Sequence, residues 1–183
     1  MTAALDLGLA EVLAGLDIAA SAPRGVAVVP ASDLPDGAEV VPHALAAREG
    51  LALVRIPGAD GPGLLGRRAA ALAEVRLAVL RQMLDLAVER LAGRTFAGVP
   101  LIEQQLVIGA LADVVTGIEV ASALTGDAPV AARHEWLTEA GWTVTKFFGA
   151  EGYIADHPVR SLYVSTLIAD VWIARDPIPE GGR

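Results

Sequence analysis

Residues 69–91 read AAALAEVRLAVLRQMLDLAVERL. Within them Leu72, Val75, Val79, Met83 and Leu86 step by 3, 4, 4 and 3. That spacing places them on one face of an α-helix. Arg67, Arg68, Arg76, Arg81, Asp85, Glu89 and Arg90 fall mostly off the stripe, so the spacing predicts a long amphipathic helix. Gly93 and the run Gly98-Val99-Pro100 end it.

The same reading extends towards the C-terminus. Val107, Leu111, Val114, Ile118 and Ala121 predict a second helix over about 101–124. Thr125-Gly126-Asp127-Ala128-Pro129 ends it, with Asp127 as N-cap of the next. A third helix covers about 130–148, with Trp136, Ala140 and Phe147 on one side. A loop over 149–157 follows. Pro158 suits a first turn, and a fourth helix runs over 159–175. It carries only Arg160, Asp170 and Arg175 as charges, which suits a buried or interfacial helix. The fold class is mainly α: an antiparallel four-helix up-and-down bundle over 64–183.

Residues 1–63 read differently. Leu5, Leu9, Val12 and Leu16 lie on one face of an N-terminal helix, and Asp6, Glu11 and Asp17 argue against a signal or membrane segment there. Prolines are scattered over 22–63. Between them lie three β-like runs, Gly25–Val29, Glu39–Val41 and Leu51–Ile56, with turn chemistry at Pro35-Asp36-Gly37 and Glu49-Gly50. So small a strand element must pack on something. Ala59-Asp60-Gly61-Pro62-Gly63 reads as a linker.

The chain has 183 residues, 54% hydrophobic but only 4% aromatic, so Ala, Leu and Val supply the core. This length can bury a core unaided, and the composition excludes disorder. Cysteine is absent, which excludes a disulfide scaffold. A net charge of −8 argues against a nucleic-acid partner. No membrane partner is expected either, and the cytoplasm is the default compartment.

Chemistry is sparse. His43, His134 and His157 lie in different elements, and His134-Glu135 has no second histidine four residues on. No metal site is expected, and each histidine reads as solvated or capping. No phosphate-binding glycine turn or nucleophile elbow appears. Asp85, Asp113, Glu119 and Asp170 sit among apolar neighbours, where desolvation would raise a carboxyl pKa and make a base. Asp85 with Arg81 and Glu89 with Arg90 read as paired, which leaves Asp113 the least explained.

Two stretches carry a family resemblance. Residues 84–101, LDLAVERLAGRTFAGVPL, continue through Gln105 to Leu111-Ala112-Asp113. Residues 149–159, GAEGYIADHPV, are followed by Leu162-Tyr163. In order and spacing they resemble the C-terminal helical bundle of acyl-CoA dehydrogenases, over about 68–175. The resemblance implies an oxidoreductase fold that binds FAD between a middle β-domain and this bundle and oxidises an acyl thioester. Residues 1–63 would then hold one helix and a short remnant of that middle domain. Arg94 matches an arginine that reaches the FAD pyrophosphate of a neighbouring subunit, and bidentate geometry suits that role. Its alternative is to satisfy carbonyls at a helix C-terminus. Gln105 and Gly149 match flavin-facing positions.

Other family features are changed. A glutamine before the Gly-Gly turn is Lys146 here, and the second glycine is Ala150. The usual catalytic base lies in a run that aligns with Trp172-Ile173-Ala174. An alternative base position falls near Arg68, with Glu74 the nearest acid. Three expectations follow. The first is a subunit without its own base, supporting flavin-dependent oxidation by a full-length acyl-CoA dehydrogenase. The second is a flavin-independent isomerase or cyclase acting on an acyl or polyketide chain. Its cleft would be lined by Trp136, Trp142, Trp172, Tyr153 and Tyr163, with Asp113, Glu151 or His157 as acid–base. The third is a non-catalytic interaction protein. In all three, apolar helix faces predict a homo-oligomer or a partner docked through the third and fourth helices.

Overall fold

The computed structural model describes residues 4–123 and 130–173. Its elements are α1 (Ala4–Leu13), α2 (Ile18–Ser21), β1 (Val26–Pro30), β2 (Glu39–Val41), α3 (Ala44–Arg48), β3 (Leu51–Arg55), α4 (Gly66–Ala92), β4 (Thr95–Phe96), β5 (Val99–Pro100), α5 (Gln105–Ala123), α6 (Val130–Phe147) and α7 (Arg160–Trp172). The last four helices are the expected bundle. The three strands fall within a residue of their predicted limits. The last helix ends at Trp172, short of the expected Arg175, because the chain turns extended at Ile173; the Asp127 cap lies outside the described residues.

Helix α4 is the central rod. Leu72, Ala73, Leu77, Leu80, Met83, Leu84 and Ala87 are buried along it. That arc is wider than the predicted stripe, because α1 packs on one side and α6 and α7 on the others. Val75 and Leu86, both on the stripe, are only partly buried. Helix α1 approaches closely at Gly8, where an added Cβ would lie 2.8 Å from a methyl of Val75.

The sheet has the order β1-β3-β2, antiparallel throughout, with Ala27 opposite Val54 and Val29 opposite Ala52. Ala27, Val28 and Val29 are all buried, because α1 and α7 both contact β1. A strand covered on both faces reads as a continuous apolar run, as Val-Ala-Val-Val does. One apolar core runs from the sheet into the bundle. Trp172, at the end of α7, is wholly buried there and its Nε1–H donates to Val28 O at 2.8 Å.

The segment between sheet and bundle is pinned. Gly61 N donates to Ala22 O, Gly63 N to Ser21 O, and Leu64 N to Trp172 O at 2.8 Å. Gly63 has φ +78°, and an added Cβ would lie 2.4 Å from the Trp172 carbonyl oxygen. Gly63→Ala is therefore expected to lower stability by at least about 2 kcal/mol, read as a lower midpoint in urea.

Short α3 carries too few residues for a periodic signal. His43 caps it, its Nδ1 accepting from Ala46 N at 3.1 Å, as a capping histidine should. Its C-terminal end places Glu49 against Arg160 of α7, Nε to Oε1 2.7 Å, with the Glu49 side chain almost wholly buried. Burial raises the Glu49 pKa, and Ser161 and Arg160 oppose the rise.

Candidate functional site

Helix α4 ends at Gly93, whose N–H bonds back to Glu89 O at 3.2 Å. The chain returns through the β4–β5 hairpin. Its turn residues Ala97 and Gly98 have φ +51° and +81°, the two-residue turn that matches strand twist. Leu101 N donates to Arg94 O at 2.7 Å and closes the base of the hairpin. Phe96 and Val99 are left exposed.

A 3₁₀ turn, Gly149–Tyr153, faces this helix end from the loop between α6 and α7. Gly152 anchors it. A Cβ there would lie 2.8 Å from Thr145 O, and the Tyr163 hydroxyl donates to Gly152 O at 3.1 Å. The anchored turn presents Glu151 to α4, where the carboxylate pairs with Arg90.

Between the two lies a cleft of about 400 Å³. Leu86, Phe148 and Pro158 line its apolar side, and Glu89, Arg90, Arg94 and His157 its polar side. The His157 ring meets Phe148 edge-on, centroids 4.9 Å apart. Its Nδ1 accepts from Val159 N at 3.2 Å, so in the neutral ring Nε2 carries the proton. Burial lowers the His157 pKa; Arg90 and Arg160 lower it further, and Glu151 pulls the other way. His157 is thus a neutral donor at pH 7. Arg94 is exposed, and its guanidinium has no hydrogen bond or ion pair among the described residues. One open guanidinium, one paired guanidinium and an imidazole N–H together suit a phosphate-type anion.

Of the residues expected from sequence, Arg94 and His157 meet in this cleft and Glu151 stands beside it. Gln105 opens α5 but does not line the cleft. Gly149 takes φ +58° to make its turn, with nothing within 4 Å of an added Cβ, so it marks no close approach. Asp113 corrects an expectation: it is exposed on α5, not desolvated.

The aromatic cleft is corrected too. Trp172 is core, Tyr153 is exposed, and Trp136 packs over Gly117 of α5. Trp142 and Tyr163 meet edge-on at 5.2 Å, beside a space of only about 10 Å³. No acyl chain enters there. The expected pairs are also different. Arg81 reaches Ser122 Oγ at 2.6 Å, and Arg90 takes Glu151 rather than Glu89. At the alternative base position, Arg68 donates to the Val12 and Ala14 carbonyls at the end of α1, and Glu74 pairs with Arg133 at 2.6 Å. Among the described residues no group of three or more acidic or histidine side chains could hold a metal.

His134 is the largest correction. It is a core residue, neither solvated nor capping. Buried Arg76 donates to its Nδ1 (2.9 Å) and carbonyl (3.0 Å), to Ser165 Oγ (3.0 Å) and to Thr138 Oγ1 (2.8 Å). His134 Nε2–H in turn donates to Ala69 O at 3.0 Å. Sequence reading missed Arg76 because an arginine off the stripe looks solvated. It missed Arg90 because its partner lies 61 residues away.

Residues 63–153 match the family described as acyl-CoA dehydrogenase, C-terminal domain. The bundle belongs to the acyl-CoA dehydrogenase family. Solved structures share the fold. FkbI, for biosynthesis of the methoxymalonyl extender unit of the polyketide immunosuppressant Fk520, superposes with a TM-score of 0.55 at 21% identity, over 80% of this chain and 46% of its own. Butyryl-CoA dehydrogenase from Megasphaera elsdenii gives 0.51 at 19%, over 81% of this chain and 45% of its own. The ChsE4-ChsE5 complex from Mycobacterium tuberculosis gives 0.51 at 20%, over 74% and 45%. The acyl-CoA dehydrogenase-like chain thus spans about half the length of these structures. No curated protein matches it.

Members of the family bind FAD. Arg94 and the His157 N–H fit a diphosphate. At about 400 Å³ the space admits that diphosphate and a flanking sugar, not the whole dinucleotide.

Proposed function

We propose that this acyl-CoA dehydrogenase-like chain is a bundle subunit that completes a flavin site within an assembly and supplies no catalytic base of its own. The observation that carries the reading is the open Arg94 guanidinium beside His157 in a cleft sized for part of a dinucleotide. When bound, the flavin would accept a hydride from an acyl thioester, and the proton would leave to a base on the full-length partner. This chain's part is to hold the diphosphate through Arg94 and the His157 Nε2–H, and to shut water from it with Phe148 and Leu86.

The assembly has a surface to form on. Helix α5 is apolar yet mostly uncovered, with Leu106, Ile108, Val115 and Val120 exposed. It is long and apolar enough to span a membrane by length and composition alone. Asp113 and Glu119 sit on its exposed side, where acyl chains would penalise them, so a protein partner suits it better. Helix α7 leaves no large hydrophobic side chain exposed and α6 leaves only Trp142, so the proposed interface moves from the third and fourth helices to the second. The proposed compartment is the cytoplasm.

A flavin-independent isomerase has less support, because Asp113 is exposed and Glu151 is held by Arg90. Two tests follow. The protein purified alone is expected to lack flavin absorbance and to gain it when co-expressed with a full-length acyl-CoA dehydrogenase of the same organism. Arg94→Ala should abolish the gain. A yellow protein purified alone would overturn the proposal. In light scattering the chain should be at least dimeric, and the Leu106→Glu, Val120→Glu double variant should shift it to monomer.

A further inference from the structure

The Glu151–Arg90 pair stands at the mouth of the proposed diphosphate cleft. Arg90 lines the cleft, and its side chain is four-fifths buried, while Glu151 is about half exposed. Glu151 is thus the mobile partner and Arg90 the fixed one. Gly152 and Tyr163 hold the backbone of the turn, so the carboxylate can swing without the loop moving. A carboxylate and a phosphate oxygen compete for the same guanidinium edge.

We propose that Glu151 is an internal anion that occupies Arg90 and that an incoming diphosphate must displace, so that it sets the affinity of the cleft. This rests on the diphosphate reading of the cleft and adds its regulation. With Glu151 in place, the cleft offers Arg94 and the His157 N–H alone. With Glu151 swung out, it offers two guanidiniums, Arg90 in the last turn of α4 and Arg94 just past its end. Glu89 lines the same cleft with the same charge but takes no part in the pair. It is therefore the control for charge alone.

The test uses ADP, which carries the diphosphate and adenosine half of FAD without the flavin, in isothermal titration at low salt. Wild type is expected to bind weakly, and Arg94→Ala to abolish binding. Glu151→Gln should bind roughly fivefold tighter, the size of one half-exposed ion pair released. Glu89→Gln should change affinity much less. Circular dichroism melts of each variant confirm that it is folded. If Glu151→Gln binds no tighter than wild type, or Glu89→Gln tightens as much, the competing role of Glu151 is wrong while an Arg94-dependent site stands. If neither wild type nor Glu151→Gln binds ADP, the diphosphate reading falls and the inference with it.

Discussion

Trp172→Ala is expected to unfold the protein at growth temperature or to lower its melting point by about 10–15 °C. Trp172 is wholly buried at the end of α7, where the bundle meets the sheet. Truncating a buried tryptophan costs about 3–5 kcal/mol through lost burial and the cavity left behind. The change also strands Val28 O, which accepts the indole N–H, and a buried unpaired carbonyl adds about 1–3 kcal/mol. A single domain holds only about 5–15 kcal/mol in total, so the loss approaches the whole. Trp172→Phe separates the two contributions. It keeps most of the packing, loses the hydrogen bond, and should cost roughly a third as much. Circular dichroism melts at a fixed protein concentration give the measurement, because an oligomer's midpoint depends on concentration. A Trp172→Ala protein that melts with wild type would show that sheet and bundle are stabilised independently.

The stripe Leu72, Val75, Val79, Met83 and Leu86 made the bundle legible, because helix periodicity is local. The strands were legible for the same reason: prolines and turn residues bracket short Val-rich runs. What failed is what depends on distance along the chain. Trp172 read as a cleft aromatic because nothing near it reveals Val28, 144 residues away. His134 read as solvent-facing because the arginine that holds it lies on another helix. Part of the site was legible. Arg94, Glu151 and His157 were each named, the arginine through the family motif and the other two as acid–base candidates. That Arg94 and His157 line one cleft, with Glu151 beside it, follows only from the fold, which brings the loop after α6 against the end of α4. Asp113 misled because it lies on the bare face of its helix, where Ala112 and Val115 are exposed with it although Val114 is buried. Apolar surroundings along the chain signal burial only when another element covers that face.

The core network sets the second large effect and the pH response. Arg76→Met is expected to cost about 3–5 kcal/mol, despite the similar volume of the new side chain. The cost comes from the partners left behind: His134 Nδ1, Ser165 and Thr138 would lose their donor inside the core. Arg76 itself stays charged, because burial lowers its pKa only to about 10 and Asp170 pulls it upward. His134 is the group that titrates. Burial, and then the Arg76 charge, hold its pKa near 4, against an ordinary 6.5. The folded state therefore refuses a proton that the unfolded chain accepts below about pH 6.5. Stability is full above that value and falls as the pH drops, by about 3 kcal/mol at pH 4, where the folded histidine begins to titrate too. His134→Leu removes the titrating ring and should flatten this acid limb, while costing stability at pH 7 through the orphaned Arg76 donors. Arg76→Met should flatten it less, because burial remains after the neighbouring charge is gone. The double variant removes both partners, so its loss at pH 7 should be smaller than the sum of the singles. Urea midpoints for the four proteins at pH 7 and pH 4.5 measure all of this. Parallel pH profiles in wild type and His134→Leu would mean that another group carries the acid sensitivity; Glu49 is not that group, because burial raises its pKa and its protonation favours the folded state as the pH falls.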